Sequence, residues 1–273
     1  MNMIKHDLHV HTHLSSCASR EAFISGYIEN AKELGLTTIG FTDHAWDETI
    51  DGASPWYQSQ PVSRLLARKE EIKNIDLSEL KVIFGAEGEY ANFLLGMSEN
   101  ALEFVDYLII PHSHTHMKGF VLPTDCIDNP EKHANYLVKS FISLCLHKNR
   151  DLFFGIAHPM SPVGMTVENI EKVYSFITDS MLDECANAAK EANIFLEANL
   201  SIINKIPPEA WENLCIKRFY DSCKRAGCNF FLGSDAHNAQ THKYLLENYI
   251  ELLEPIGLDS YDFTVAQRHI QTL

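Results

Sequence analysis

The chain has 273 residues, 45% of them apolar, enough to bury a large core. Its formal net charge of −15 argues against a broad basic patch for long nucleic acid. It holds no run near the ~18 consecutive apolar residues of a membrane span. Seven cysteines with no CxxC pair read as reduced thiols, and the polar start "MNMIKHDLHVH" carries no apolar signal core. A cytoplasmic protein that touches no membrane is the expectation.

The first apolar run, "IKHDLHVHT" (4–12), predicts a strand. His9 and His11 are two apart, so they share one strand face. His6 has the opposite parity, and His13 lies past the strand end. A helix follows over 20–35, with helical apolar spacing and a stop at Gly35. The second strand, "TTIGFTDH" (37–44), ends on His44. The stretch 47–61 reads as a loop over that end, with Trp46, Trp56 and Tyr57 packing the rim. A helix is predicted over 61–75.

The third strand, "LKVIFGAEGEY" (80–90), offers Glu87 and, farther along, Glu89. The fourth, "VDYLIIPHSHTH" (105–116), offers His112, His114 and His116. A helix over 130–148 leads to "LFFGIAHP" (152–159) and His158. A helix over 166–192 leads to "IFLEANLS" (194–201) and Asn199. A helix over 208–226 leads to "CNFFLGSDAH" (228–237), with Asp235 and His237 again two apart. Ser234 points to the other face from Asp235, which disfavours a Ser-His-Asp arrangement. A last helix covers 240–253.

Strands alternating with helices imply a parallel sheet, and near-continuous apolar strands imply one buried on both faces. Five of the seven strand ends carry histidine and a sixth carries glutamate. Packing gives no reason to gather such residues at one end. A parallel barrel does, because its strand ends share the face where active sites form. An open doubly wound sheet also gathers ligands at its carboxyl ends, but a barrel makes all seven converge. Clustered His, Asp and Glu suit Zn²⁺, Mn²⁺ or Fe²⁺.

"DLHVHT", "FTDHA", "GAEGEY", "GIAHP" and "LGSDAHN", in this order over residues 7–238, resemble the PHP (polymerase and histidinol phosphatase) phosphoesterases. The resemblance implies a distorted seven-stranded (β/α)7 TIM-like barrel, taken as one domain over 1–273, with two or three divalent ions at its C-terminal face. It implies His9, His11, Glu87 and Asp235 at one ion. Glu87 would bridge to a second, shared with His158 and with His112 or His114, the latter favoured as nearer the strand end. His44 and His237 would hold a third with position 17. Cys17 stands where trinuclear relatives carry histidine: as a thiolate it completes the third site, and as a small buried thiol it leaves two. His9, His11, Glu87, Asp235 and His237 are the implied catalytic set.

Asp7 and Asp43 are candidates to accept the outer N–H of liganding histidines. Arg20, Lys118 and Lys205 follow strand ends, and Lys118 is the preferred phosphate contact. The implied activity is hydrolysis of a small phosphomonoester by metal-activated water, histidinol phosphate leading. A nucleotide or oligonucleotide phosphodiesterase and a non-catalytic metal-binding module are the alternatives.

Overall fold

The computed structural model of the chain describes residues 4–206 and 215–273. Its main strands run β1 (His6–Val10), β2 (Thr38–Phe41), β3 (Lys81–Glu87), then a short hairpin of β4 (Tyr90–Ala91) and β5 (Leu94–Leu95), then β6 (Tyr107–Pro111), β7 (Phe153–Ala157), β8 (Phe195–Asn199) and β9 (Asn229–Gly233). All neighbours in the order β1-β2-β3-β6-β7-β8-β9 pair in parallel. All seven predicted strands are present, shorter than predicted, because the polar ends of the runs have left the ladder. The hairpin was not expected.

The helices are α1 (Ile24–Glu33), α2 (Pro55–Gln58), α3 (Ala67–Glu71), α4 (Pro130–Cys145), α5 (Val167–Tyr174), α6 (Asp179–Ala192), α7 (Leu200–Lys205), α8 (Cys215–Ala226), α9 (Ala239–Glu247), α10 (Tyr249–Leu253) and α11 (Thr264–His269). The helix predicted over 166–192 is two helices. Thr178 caps the second by accepting from the backbone N–H of Met181, so the chain restarts there. The 47–61 loop contains α2, and 61–75 is a mixed run in which 3-10 turns flank α3. Of the helix predicted over 208–226, positions 208–214 lie outside the described residues.

Two layers of core follow from the sheet. Outside it, α4, α6 and α8 pack their apolar faces on the strands through Leu137, Phe141, Leu182 and Phe219. Within it, Leu8, Ile83, Tyr107, Ile109, Phe195 and Phe231 fill the lower interior, and Ala266 and Ile270 close it from below. Alternation carries the same inner faces upward from Phe195 to Glu197 and from Ile83 to Glu87. The lower interior is therefore hydrocarbon and the upper interior polar.

Strand β1 departs from alternation. Its register against β2 shifts between Asp7 and Val10, so Leu8 joins the inner core while its neighbour His9 also faces across the barrel.

The last seam, between β1 and β9, is only partly a backbone ladder. Asp235 N–H donates to the His9 carbonyl at 2.7 Å, and His11 N–H to the Ala236 carbonyl at 3.0 Å. Lower down, side chains substitute. His6 Nε2 accepts from Leu232 N–H at 3.1 Å, and Asp7 Oδ1 from Ser234 N–H at 2.9 Å. The nearly closed barrel thus holds its first and last strands together through two residues of the opening motif.

Candidate metal centre

Glu87 ends β3 at the centre of the upper face, and five imidazoles approach its carboxylate. His44 Nδ1 stands 2.9 Å from Oε2, His158 Nε2 2.8 Å from Oε1 and His114 Nε2 3.7 Å from Oε1. His9 Nε2 and His11 Nε2 each lie 3.4 Å from Oε2. Asp235 Oδ1 adds contacts of 3.6 Å to His9 Nε2 and 3.1 Å to His11 Nε2. Three groups of donors result: His9, His11 and Asp235; Glu87, His114 and His158; and His11, Cys17, His44 and His237.

The outer partners of these rings decide what the inner nitrogens can do. Glu197 Oε1, a carboxylate oxygen, accepts from His9 Nδ1 at 2.8 Å. Glu89 Oε2 accepts from His114 Nδ1 at 2.7 Å, and the Asp235 carbonyl from His237 Nδ1 at 2.9 Å. Two serines serve the same end. Ser113 spends its hydroxyl proton on the His158 carbonyl at 3.0 Å, so its oxygen accepts from His158 Nδ1 at 2.8 Å. Ser15 spends its proton on Asp43 at 2.8 Å and accepts from His11 Nδ1 at 2.9 Å. An acceptor beside each outer nitrogen holds a proton there, so that each ring, when neutral, offers the lone pair of its inner nitrogen. His9 Nε2 and His11 Nε2 face each other at 3.0 Å. His44 Nδ1 is buried with no hydrogen-bond partner despite its nearness to Glu87. Converging lone pairs and carboxylate oxygens fit divalent cations, and imidazole–carboxylate donors fit Zn²⁺, Mn²⁺ or Fe²⁺.

The electrostatics point the same way. Burial opposes ionisation of Glu87, but the imidazoles of His44 and His9 outweigh it and hold its carboxyl well below the usual range. Asp235 is likewise held well below its usual value against burial, chiefly by His9 and His11. Burial pulls His11 down, yet bonds to Asp235 and Glu87 push it up to about 9. The pocket asks for positive charge. Protons on both His9 and His11 would set like charges 3.0 Å apart, whereas a cation shared by their lone pairs meets the demand without that repulsion.

A family model for the PHP domain matches residues 7–201. The chain belongs to the PHP domain family. This PHP domain is a metal-dependent phosphoester hydrolase. The sequence has no significant match among curated proteins. Among solved structures it is similar to histidinol phosphate phosphatase from Lactococcus lactis, complexed with Zn, L-histidinol and phosphate. That likeness has 17% identity and a TM-score of 0.62, over 94% of this chain and 95% of that one. It is also similar to the putative histidinol phosphatase of Listeria monocytogenes, with 13% identity and a TM-score of 0.60, over 87% of this chain and 97% of that one. At these identities the two share a fold with this PHP domain.

Not every residue singled out in the sequence reaches the cluster. His112 does not. Its ring packs on Phe141, and Nε2 accepts from Met160 N–H at 3.0 Å. Strand parity left His112 and His114 equivalent, but β6 ends at Pro111 and the loop beyond turns only His114 toward Glu87. Asp7 does not hold a liganding ring, since it accepts from the backbone of His9 and Ser234. Asp43 acts one step removed. It orients Ser15, which orients His11, and it is paired with buried Arg68 at 3.3 Å.

Arg20, Lys118 and Lys205 are exposed, and among the described contacts none touches the cluster. Trp46 and Tyr57 pack with Phe120 on the rim, while Trp56 sets its edge against His44 with ring centroids 5.0 Å apart. His13 lies apart beside Phe23 and Glu71.

The residue of most consequence that sequence reading passed over is Glu197. Its second oxygen accepts from His158 N–H at 2.6 Å, so one side chain aligns donors of two clusters. His158 has φ 30, a backbone conformation an L-residue rarely adopts, held from Glu197 on one side and Ser113 on the other. Room for Glu197 exists because residue 233 is glycine: a Cβ there would stand 1.8 Å from Oε1. The signal was present as a lone carboxylate between Leu196 and Ala198 in an apolar strand, since a buried charge must be paired. Asn199 also acts: Nδ2 donates to Asp235 Oδ2 at 3.2 Å while Oδ1 caps α7.

Proposed function

We propose that this PHP domain hydrolyses a small phosphomonoester, with histidinol phosphate the leading substrate, and that residues 1–273 act as one domain. His9, His11 and Asp235 hold one divalent ion. Glu87, His114 and His158 hold a second, with Glu87 between the two. His44, His237 and Cys17 supply donors for a third. Bound ions at such a site activate a water as nucleophile and clamp the phosphate oxygens. The chain's own part is to keep the inner nitrogens free of protons, through Glu197, Glu89, Ser15 and Ser113, and to fix the donors before substrate arrives.

The observation that carries the reading is the convergence of His9, His11, His114 and His158 on Glu87, each with an acceptor beside its outer nitrogen. Histidinol phosphate is favoured by the "FTDH" and "GAEGEY" motifs and by an acidic chain, which suits a substrate bearing an amine. The end-to-end likeness to the Lactococcus lactis phosphatase adds support.

Protein stripped of ions and reloaded singly with Zn²⁺, Mn²⁺ or Fe²⁺ is assayed on histidinol phosphate, p-nitrophenyl phosphate and its bis-ester. Turnover of the monoesters alone is the expected result. Preferential turnover of the bis-ester overturns the monoesterase reading in favour of a phosphodiesterase. A folded Glu87→Ala protein with full activity and full metal content overturns the ligand assignment.

A further inference from the structure

Five of the seven cysteines, Cys145, Cys185, Cys215, Cys223 and Cys228, gather in the outer core where α4, α6 and α8 pack on the sheet. Two of them meet at the end of α8. Gly227 takes φ 74, its N–H donates to the Lys224 carbonyl at 3.0 Å, and Cys228 N–H donates to the Cys223 carbonyl at 2.9 Å. This paired closure of a helix end, with glycine in the left-handed conformation, sets the side chains of its first and last residues against each other. Here those residues are Cys223 and Cys228, and their two thiols are in contact.

The two differ in access. Cys223 is sealed, at 0% exposure, whereas Cys228 is half-buried and directly precedes β9. The Cys228 S–H donates to the Ala186 carbonyl of α6 at 3.3 Å, and the Lys190 ammonium donates to the neighbouring Gly227 carbonyl at 2.7 Å. The Cys223 thiol and the Lys190 charge hold the Cys228 thiol below its usual value against burial. Among the described residues no third donor closes on the pair as a metal site requires.

We infer that Cys223 and Cys228 form a modification site, at which a hydroperoxide oxidises Cys228 and Cys223 resolves it to a disulfide joining the end of α8 to the start of β9. The pair takes no part in the metal centre, so the inference stands apart from the phosphatase reading. The Cys228 thiolate attacks the hydroperoxide: an S–O bond forms, the O–O bond breaks, and water or an alcohol leaves with the Cys228 proton. The Cys223 sulfur then attacks the Cys228 sulfur: an S–S bond forms, the S–O bond breaks, and the hydroxyl leaves as water with the Cys223 proton. The two sulfurs together lose two electrons and the hydroperoxide gains them. A reachable thiolate backed by a sealed thiol favours the reversible product, because the sulfenic acid is captured before a second peroxide arrives.

The test treats the full reduced chain with a small excess of hydrogen peroxide, alkylates it and maps it by mass spectrometry after trypsin, without reduction. Cleavage after Arg218, Lys224, Arg225 and Lys243 puts Cys223 in peptide 219–224 and Cys228 in peptide 226–243. The expected product is those two peptides joined, lighter than their sum by two hydrogens and separated again by dithiothreitol. Cys223→Ala stops at a sulfenic acid on 226–243 that dimedone captures. Cys228→Ser oxidises Cys223 at least tenfold more slowly than wild type does.

Folded wild-type protein whose two peptides stay unlinked while exposed Cys17 is oxidised overturns the inference. Cys228 joined to Cys145 or Cys185 instead overturns the assignment of Cys223 as its partner. Undiminished oxidation of Cys223 in Cys228→Ser overturns the order of attack.

Discussion

Glu197→Gln is the sharpest single test of the centre. Glu197 uses one oxygen to accept from His9 Nδ1 at 2.8 Å and the other to accept from His158 N–H at 2.6 Å. Glutamine has the same shape but only one acceptor atom, so one of two faults must follow. If its amide nitrogen faces His9, it donates to Nδ1 and drives the ring proton to Nε2, removing the lone pair that faces the ion. If it faces His158, two donors oppose each other at a backbone already in a rare conformation. Removing such an outer partner of a metal-binding histidine costs about 10–100-fold in metal affinity. That range is about 1.4–2.7 kcal/mol at 1.36 kcal/mol per tenfold.

The assay is competition between protein and a calibrated chelator, read as ions retained, with circular dichroism to show that the fold persists. Only the cluster whose acceptor is lost should weaken, because the remaining oxygen still serves the other. Folded Glu197→Gln protein with wild-type affinity for every ion would refute the claim that the outer acceptors set the tautomers.

Three further outcomes follow from the geometry. His114→Ala should lower ion content by weakening the Glu87–His158 group, while His112→Gln should leave it unchanged, read by metal analysis of the folded proteins. Arg68→Met should cost about 3–5 kcal/mol, read from urea denaturation, because it strands buried Asp43 without its partner. It also uncaps the Phe41 and Gly85 carbonyls, to which Arg68 donates at 2.7 and 2.8 Å.

Acid should weaken the seam between β1 and β9. Burial pulls His6 down from 6.5 to about 4, against the nearby Asp7 charge, so the ring is neutral in the fold and accepts from Leu232 N–H. Below its unfolded value the unfolded chain binds a proton that the folded chain does not. Stability is therefore full above about pH 6.5 and falls as pH drops toward about 4, by up to about 3 kcal/mol from this group. Denaturation of wild type and of a His6→Gln protein at pH 7 and at pH 5 measures this group's share, since His112, His116, His133 and His237 are also held low by burial and add to the wild-type difference.

Much of the site was legible because strand geometry ties sequence spacing to direction. His9 and His11, two apart at the end of β1, do meet, whereas Asp235 and His237 lie past β9 and are placed by the turn in which Asp235 has φ 52. The parallel seven-stranded barrel and its polar upper face followed from apolar runs of which five finish with His and a sixth with Glu. Helix breaks were harder to read. Helical periodicity continues across 166–192, and only the cap at Thr178 reveals that the chain stops and restarts.

What the sequence determined by itself is the inventory and its placement: which residue types stand at which strand ends, and hence that donors for divalent ions share one face. What tertiary structure decided is which of them meet and in what protonation state. His112 and His114 have the same parity, and only the turn after Pro111 separates a packing ring from one aimed at Glu87. Glu197 is a plain strand carboxylate until β8 sets it across the barrel from His9, more than a hundred residues earlier in the chain. A proton's position on an imidazole depends on the partner of its other nitrogen. For His9 that partner comes from another strand, and for His158 from the loop after β6, so folding alone fixes it.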